Sequence, residues 1–219
     1  MNRLGPYEVG EELARGGMGV VYRARDPYLD RSLAIKVIRA DDLQDPESHE
    51  RFRREAEVLA QLNHPGLIRI YAAELEGPTP YLSVELCRGG TLQDRLRQGP
   101  LPPEEVVKLA RSLAEALDYL HGEGVLHRDL KPDNVLFDEG GNPKLADFGL
   151  SRRRGSDALT QTGEILGTPA FMAPEQAGTA HEADARSDVY GLAATLYAAA
   201  TGQPPFLGTG LFEVLSRVL

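Results

Sequence analysis

The segment His127-Arg128-Asp129-Leu130-Lys131-Pro132-Asp133-Asn134 gathers three kinds of chemistry into one short stretch. Asp129 is a proton acceptor, and Lys131, two residues on, is a compact cation suited to phosphate oxygens. Asn134, five residues after Asp129, offers an amide oxygen to a hard metal ion. Residues 134–146 read as a small hairpin turning around Glu139-Gly140-Gly141-Asn142. Asn134 precedes its first strand and Asp147 follows its second. Both therefore lie at the open mouth of the hairpin, where they can converge on one cation such as Mg²⁺. A solvated polar loop is the bland alternative for 127–134, and Asp147-Phe148-Gly149 weighs against it.

Two earlier segments add phosphate chemistry. Ala14-Arg15-Gly16-Gly17-Met18-Gly19-Val20-Val21 lies between two strand-like runs, and its glycines would let backbone N–H groups approach a polyphosphate. A glycine-rich hairpin with no ligand reads equally well from this segment alone. It is not a Walker loop, because no Gly-Lys-Ser/Thr follows and no helix opens there. Lys36 stands in Leu33-Ala34-Ile35-Lys36-Val37-Ile38, where simple strand alternation would turn it to solvent. The next helix argues otherwise. Phe52, Glu55, Ala56 and Leu59 fall at i, i+3, i+4 and i+7, so Glu55 interrupts an apolar stripe. A carboxylate facing a core needs a partner, and Lys36 on the preceding strand is the natural one. Such a Lys–Glu pair beneath a glycine loop could hold phosphate oxygens.

The elements that must position these residues fall into two textures. Residues 7–13, 20–25, 33–39, 67–74 and 80–86 read as strands. One helix, opened by Asp45-Pro46-Glu47 and ended by His64-Pro65-Gly66, runs among them to about Leu62. Arg88-Gly89-Gly90 looks like a hinge. Beyond it residues 103–121 align Val106, Leu109, Leu113, Leu117 and Leu120 on one helical face, with Gly122 as the stop. Helices are expected again at 184–200 and 210–219, and Val189 to Ala200 reads as a buried helix. Strands first and helices later predict an α+β arrangement with a cleft at the hinge: a sheet-rich lobe over 1–86 and a helical lobe over 87–219.

Composition narrows the partners. The chain has 219 residues, 42% hydrophobic and 26% charged, which suits a soluble globular fold. A net charge of -9 argues against a general nucleic-acid binder. One cysteine, Cys87, excludes an intramolecular disulfide framework and a cysteine-rich zinc site. No run reaches the roughly 20 apolar residues of a membrane span, and no signal peptide is visible, so a cytoplasmic protein is expected. Four of the 24 basic residues are lysines, Lys36, Lys108, Lys131 and Lys144, and two of them, Lys36 and Lys131, are the cations singled out above.

With these motifs in hand, the chain resembles the protein-kinase family, and closely the eukaryotic-like serine/threonine kinases of bacteria, from Tyr7 to the final helix. The resemblance implies a bilobal fold: a small antiparallel-sheet N-lobe with one main helix, and a mainly helical C-lobe. It implies ATP with Mg²⁺, or Mn²⁺ in its place, as the cofactor set. It further implies catalytic residues Asp129, Lys131, Lys36 and Glu55, and metal ligands Asn134 and Asp147. Nucleotide contacts are implied at Ala14, Gly16, Gly17, Gly19, Val21, Ala34, Lys36 and Leu136, and at a hinge from Glu85 to Cys87. Asp188 matches the residue that braces the catalytic loop, and Ala173-Pro174-Glu175 the end of the activation segment. Leu130-Lys131-Pro132 and Thr168 fit protein substrates carrying Ser or Thr. Thr160 and Thr162 resemble paired autophosphorylation sites, which implies self-association for transfer in trans. A phosphate there could dock on Arg128 and on Arg152-Arg153-Arg154; a solvated basic run reads equally well for the triple arginine.

Two departures carry expectations of their own. Ala14 replaces the first glycine of the family's loop, at a cost set by the φ it must adopt. The family's fold also continues for several dozen residues past the helix begun at Leu211. The chain therefore reads as a truncated catalytic domain in which Glu175 lacks its arginine partner, Arg217 lying too early in the chain. A catalytically impaired module that binds nucleotide or a protein partner is the alternative function.

Overall fold

The computed structural model describes residues 3–16, 19–39, 46–148, 169–178 and 184–219. Gly17, Asp45 and the stretch 149–168, with Gly149, Thr160, Thr162, Thr168 and Arg152 to Arg154, lie outside the described residues. The chain divides into two compact units, one of residues 1–63 with 68–86 and the other of 64–67 with 87–219.

The first unit is a six-stranded antiparallel sheet: β1 (Arg3–Leu4), β2 (Tyr7–Gly16), β3 (Gly19–Asp26), β4 (Arg31–Ile38), β5 (Ile70–Glu74) and β6 (Tyr81–Val84), in the order β1-β2-β3-β4-β6-β5. The β2–β3 ladder continues to Gly16 opposite Gly19, so both strands outrun the sequence expectation. Gly19 makes that possible. Its φ is +133°, and a Cβ there would lie 1.8 Å from the carbonyl oxygen of Val37. β3 can start this close to β4 only with glycine. β1 escaped the sequence reading because two residues carry no periodicity. β4 has neighbours on both sides, and Leu33, Ala34, Ile35 and Lys36 are buried in succession. Four buried residues in a row mean that both faces of the strand are covered. Tyr7 and Tyr81 meet edge to face at 6.1 Å in the core with Ala24, Leu33 and Ile35, and the Tyr7 hydroxyl donates to Ser83 Oγ at 3.3 Å. The helix α1 (Pro46–Gln61) buries Phe52, Ala56 and Leu59.

The second unit is built on α2 (Leu92–Leu96), α3 (Pro103–Gly122), the hairpin β7 (Val135–Phe137) with β8 (Pro143–Leu145), α4 (Pro174–Gly178), α5 (Ala185–Thr201) and α6 (Leu211–Val218). α3 buries Leu109, Leu113, Ala116, Leu117 and Leu120, the apolar face that its spacing predicts. The helix ends at Gly122, and two residues on Gly124 takes φ +73° and donates to the carbonyl of His121 at 3.0 Å. α2, unforeseen, begins at Thr91 in a reciprocal capping box with Asp94. Residues 67–69, expected to open a strand, do not; Leu67 instead bridges Leu145 of β8. α5 corrects the expectation of a wholly buried helix. Its inward face consists of small groups, Ser187, Gly191, Ala194, Thr195, Ala198 and Ala199, together with Asp188, while Val189 and Tyr197 are 58% and 50% exposed.

Candidate active site

The loop from His127 to Asn134 has no regular backbone until a single 3₁₀ turn at Pro132–Asn134, so side chains must hold it. Asp188, in the first turn of α5, is the main anchor. Its Oδ2 accepts the backbone N–H of His127 at 2.8 Å and its Oδ1 that of Arg128 at 2.7 Å. His121 Nε2, in the last turn of α3, reaches the same carboxylate at 2.9 Å. The helix N-terminus adds a favourable field for the buried charge. Arg128 takes φ +67°, a left-handed conformation that costs a Cβ-bearing residue roughly 1–2 kcal/mol. Arg128 keeps that conformation because bonds from outside the loop over-determine it.

His127 is fully buried, and that burial pulls its imidazole below its ordinary range, with Asp188, Asp129 and Asp147 opposing the shift more weakly. The neutral ring accepts the backbone N–H of Asp129 through Nδ1 at 3.3 Å. Asp129 Oδ2 in turn accepts Lys131 Nζ at 2.8 Å and Asn134 Nδ2 at 3.0 Å. Asn134 Nδ2 also donates to the Asp129 carbonyl at 2.6 Å, which fixes the amide orientation and turns Oδ1 away from Asp129. The structure thus brings Asp129, Lys131 and Asn134 into one bonded cluster.

Asn134 and Asp147 flank the hairpin mouth. Val135 pairs with Leu145, and the Ala146 N–H donates to the Asn134 carbonyl at 2.9 Å. Asp147 follows with φ +61°, its neighbour Phe148 buried near the His127 ring at 6.3 Å between centroids. An amide oxygen and a carboxylate are the hard donors Mg²⁺ prefers, and Mg²⁺ usually takes only one or two protein ligands beside phosphates and waters. The donor set fits that ion. Among the described residues no group of three or more His, Cys, Asp or Glu could hold a metal, so the pair is not part of an all-protein cage.

In the sheet unit, Lys36 is 5% exposed and stands in register between Val21 of β3 and Leu82 of β6, so it does not follow the alternation that would turn it to solvent. Glu55 is half-buried on α1 between Phe52 and Leu59. Ala14 pairs with Val21 in the ladder and is not among the positive-φ residues, so alanine there costs no backbone strain. Gly16 pairs with Gly19 at the hairpin end. Ala34 is buried opposite Val84. Glu85 donates its N–H to the Arg69 carbonyl at 2.8 Å and accepts the Arg69 N–H on Oε2 at 3.2 Å. Leu136 and Cys87, both in the other unit, are half-buried, and Leu136 bridges Thr91.

Glu175 lies in the first turn of α4. Its carboxylate has a partner, because Ser187 Oγ donates to Oε1 at 2.5 Å. Nothing in the sequence marks the next residue, Gln176, as part of the site. Its Nε2 donates to the Arg128 carbonyl at 2.9 Å and its Oε1 accepts the Ala173 N–H at 3.0 Å. Nor does the sequence assign a role to His121 or His127. None of the three falls in a periodic pattern, and only the folded loop shows what they touch.

A family described as "Protein kinase domain" matches residues 7–215. The serine/threonine-protein kinase PknB of Mycobacterium leprae is 42% identical over 208 residues, covering 92% of this chain and 33% of that protein. PknB of Mycolicibacterium smegmatis is likewise 42% identical, over 209 residues, again covering 92% of this chain and 33% of that protein. The serine/threonine-protein kinase PknL of Mycobacterium bovis is 42% identical over 209 residues, covering 95% of this chain and 52% of that protein. The chain spans 33% of the PknB length and 52% of the PknL length.

Proposed function

Since the chain belongs to the protein kinase family, we propose that it transfers the γ-phosphoryl group of ATP to serine or threonine hydroxyls of protein substrates. The observation that carries this reading is the Asp129 carboxylate, held by Lys131 and Asn134 on a loop anchored at Asp188. A base held in that way is ready to orient a hydroxyl and accept its proton without reorganising. The neighbouring Lys131 ammonium offsets negative charge as it grows on the transferring phosphoryl oxygens. Lys36, a cation already desolvated within the sheet, would hold phosphate oxygens of the nucleotide. Asn134 Oδ1 and Asp147 would hold Mg²⁺, or Mn²⁺ in its place, which supplies charge neutralisation for the phosphates when bound. Phosphorylation of Thr160 or Thr162 in trans between two copies, and a cytoplasmic setting, belong to the same reading. Among the described residues no helix is long and apolar enough to cross a membrane.

The test is transfer of labelled phosphate from Mg·ATP to a generic protein substrate, with the modified residues located by mass spectrometry. Label on Ser or Thr from the unmodified chain, and none from Asp129→Asn, is expected. Equal labelling by both would show that Asp129 is not the base.

A further inference from the structure

Arg128 is held at both ends of its own backbone from outside the loop. Its N–H is fixed by Asp188 of α5, and its carbonyl by Gln176 of α4. That carbonyl belongs to the peptide joining Arg128 to Asp129, whose N–H is bonded to His127 Nδ1. The peptide that carries Asp129 is therefore pinned on both edges. The amide of Gln176 has only one workable orientation. Turned over, it would set its NH₂ against the Ala173 N–H and its oxygen against the Arg128 carbonyl, and both bonds would be lost.

Resting on the phosphoryl-transfer reading above, we propose that Gln176 is a positioning residue for Asp129. It holds the 128–129 peptide at the angle that the left-handed Arg128 requires, and ties that angle to the placement of Ala173. The hydrogen bonds of Gln176 thus join residues 169–173 to the loop 127–134 at this point. Glu175 reinforces the connection on the other side through Ser187, whose neighbour Asp188 holds the Arg128 N–H. Two consecutive side chains of a five-residue helix so reach both halves of the clamp.

Two variants of the full chain test this. Gln176→Glu keeps an acceptor for the Ala173 N–H but sets a carboxylate oxygen against the Arg128 carbonyl. Gln176→Met keeps the length of the side chain and removes both bonds. Amide hydrogen exchange is the first readout, and it is independent of activity. Exchange at Arg128 and Asp129 should rise about tenfold in both variants, while the amides of α3 keep their protection. The second readout is single-turnover phosphoryl transfer by the folded protein, which should fall about tenfold or more with the KM for ATP unchanged, beyond whatever stability the two lost bonds cost. A role in stability alone would lower the melting temperature and leave the KM and kcat ratio as it was, and that result overturns the proposal. So does unaltered exchange at Arg128 and Asp129. Should Gln176→Glu fail to fold, Gln176→Met carries the same two readings. If the unmodified chain transfers no phosphate, the activity reading falls, and the exchange experiment still decides whether Gln176 sets this peptide.

Discussion

Lys36 and Asp129 are held in place by opposite means. Lys36 lies in the middle of a regular strand, and its position follows from the ladders on either side, Val21 on β3 and Leu82 on β6. Any side chain at that point of β4 would have the same backbone beneath it. Asp129 lies on irregular backbone next to a residue at φ +67°, and its position depends on named polar atoms of Asp188, Gln176 and His127. Regular hydrogen-bond ladders spread the load over many equivalent bonds. A strained loop concentrates it on a few, which cannot be exchanged for others. The sheet should therefore tolerate substitution in proportion to the volume lost, and the loop should fail all at once when one anchor goes.

The largest expected effect separates chemistry from folding within the loop. Asp129→Asn should lower kcat by about a thousandfold or more, roughly 4 kcal/mol of barrier, while ATP affinity and melting temperature stay put. Isothermal titration beside a transfer assay checks it, and a parallel loss of ATP affinity would contradict the role given to Asp129. Next comes the anchor. Asp188→Ala strands the buried N–H groups of His127 and Arg128, each worth about 1–3 kcal/mol, so unfolding free energy should drop by about 2–6 kcal/mol. Urea unfolding measures that drop, and exchange at 127–129 should rise ahead of global unfolding.

The sheet offers the contrasting case. Leu33 is fully buried in β4, and Leu33→Ala should cost about 2–5 kcal/mol by leaving a cavity, with the β3–β4 register intact. Amide exchange should then rise evenly along β3 and β4; a rise confined to one or two residues would break the contrast with the loop.

The smallest effect is a pH dependence. Because burial holds the His127 ring neutral in the folded chain, protonation is easier in the unfolded one. That contribution to stability is present above about pH 6.5, the ordinary histidine value, and is lost as pH falls toward the lower folded value. Melting temperature should decline from pH 7 to 5.5, and His127→Gln should flatten the decline. An unchanged slope in that variant would remove His127 as its source.

The same division explains what was legible in the sequence. The strands of the sheet, the stripe on α1 and the buried face of α3 each repeat a period, and periods survive in one dimension. The residues of the site were legible by type and spacing: an acid, a cation and an amide in one loop, then a carboxylate across a hairpin. What holds them was not. Gln176 is a glutamine on a short helix, and His121 is a histidine in a last turn; nothing local marks either as bonded to the loop. The bond from Ser187 to Glu175 joins residues twelve apart in the chain, so no local pattern shows it. The exposed flank of α5 is hidden from the sequence for a related reason. Composition reports how apolar Val189 to Ala200 is, whereas burial goes to its small residues, which allow close approach.

One detail of the chain's path bears on how the protein can be cut. Residues 64–67 belong with 87–219, although 1–63 and 68–86 belong together, so the backbone passes from one unit to the other three times. A single scission between Leu86 and Cys87 would not yield two autonomous pieces. The C-terminal fragment would lack Leu67, the bridge partner of Leu145, and the Gly66 carbonyl that accepts the Leu145 N–H at 2.8 Å. Fragment complementation should therefore succeed only when the N-terminal piece keeps 64–67, an internal loop that must dock beside β8.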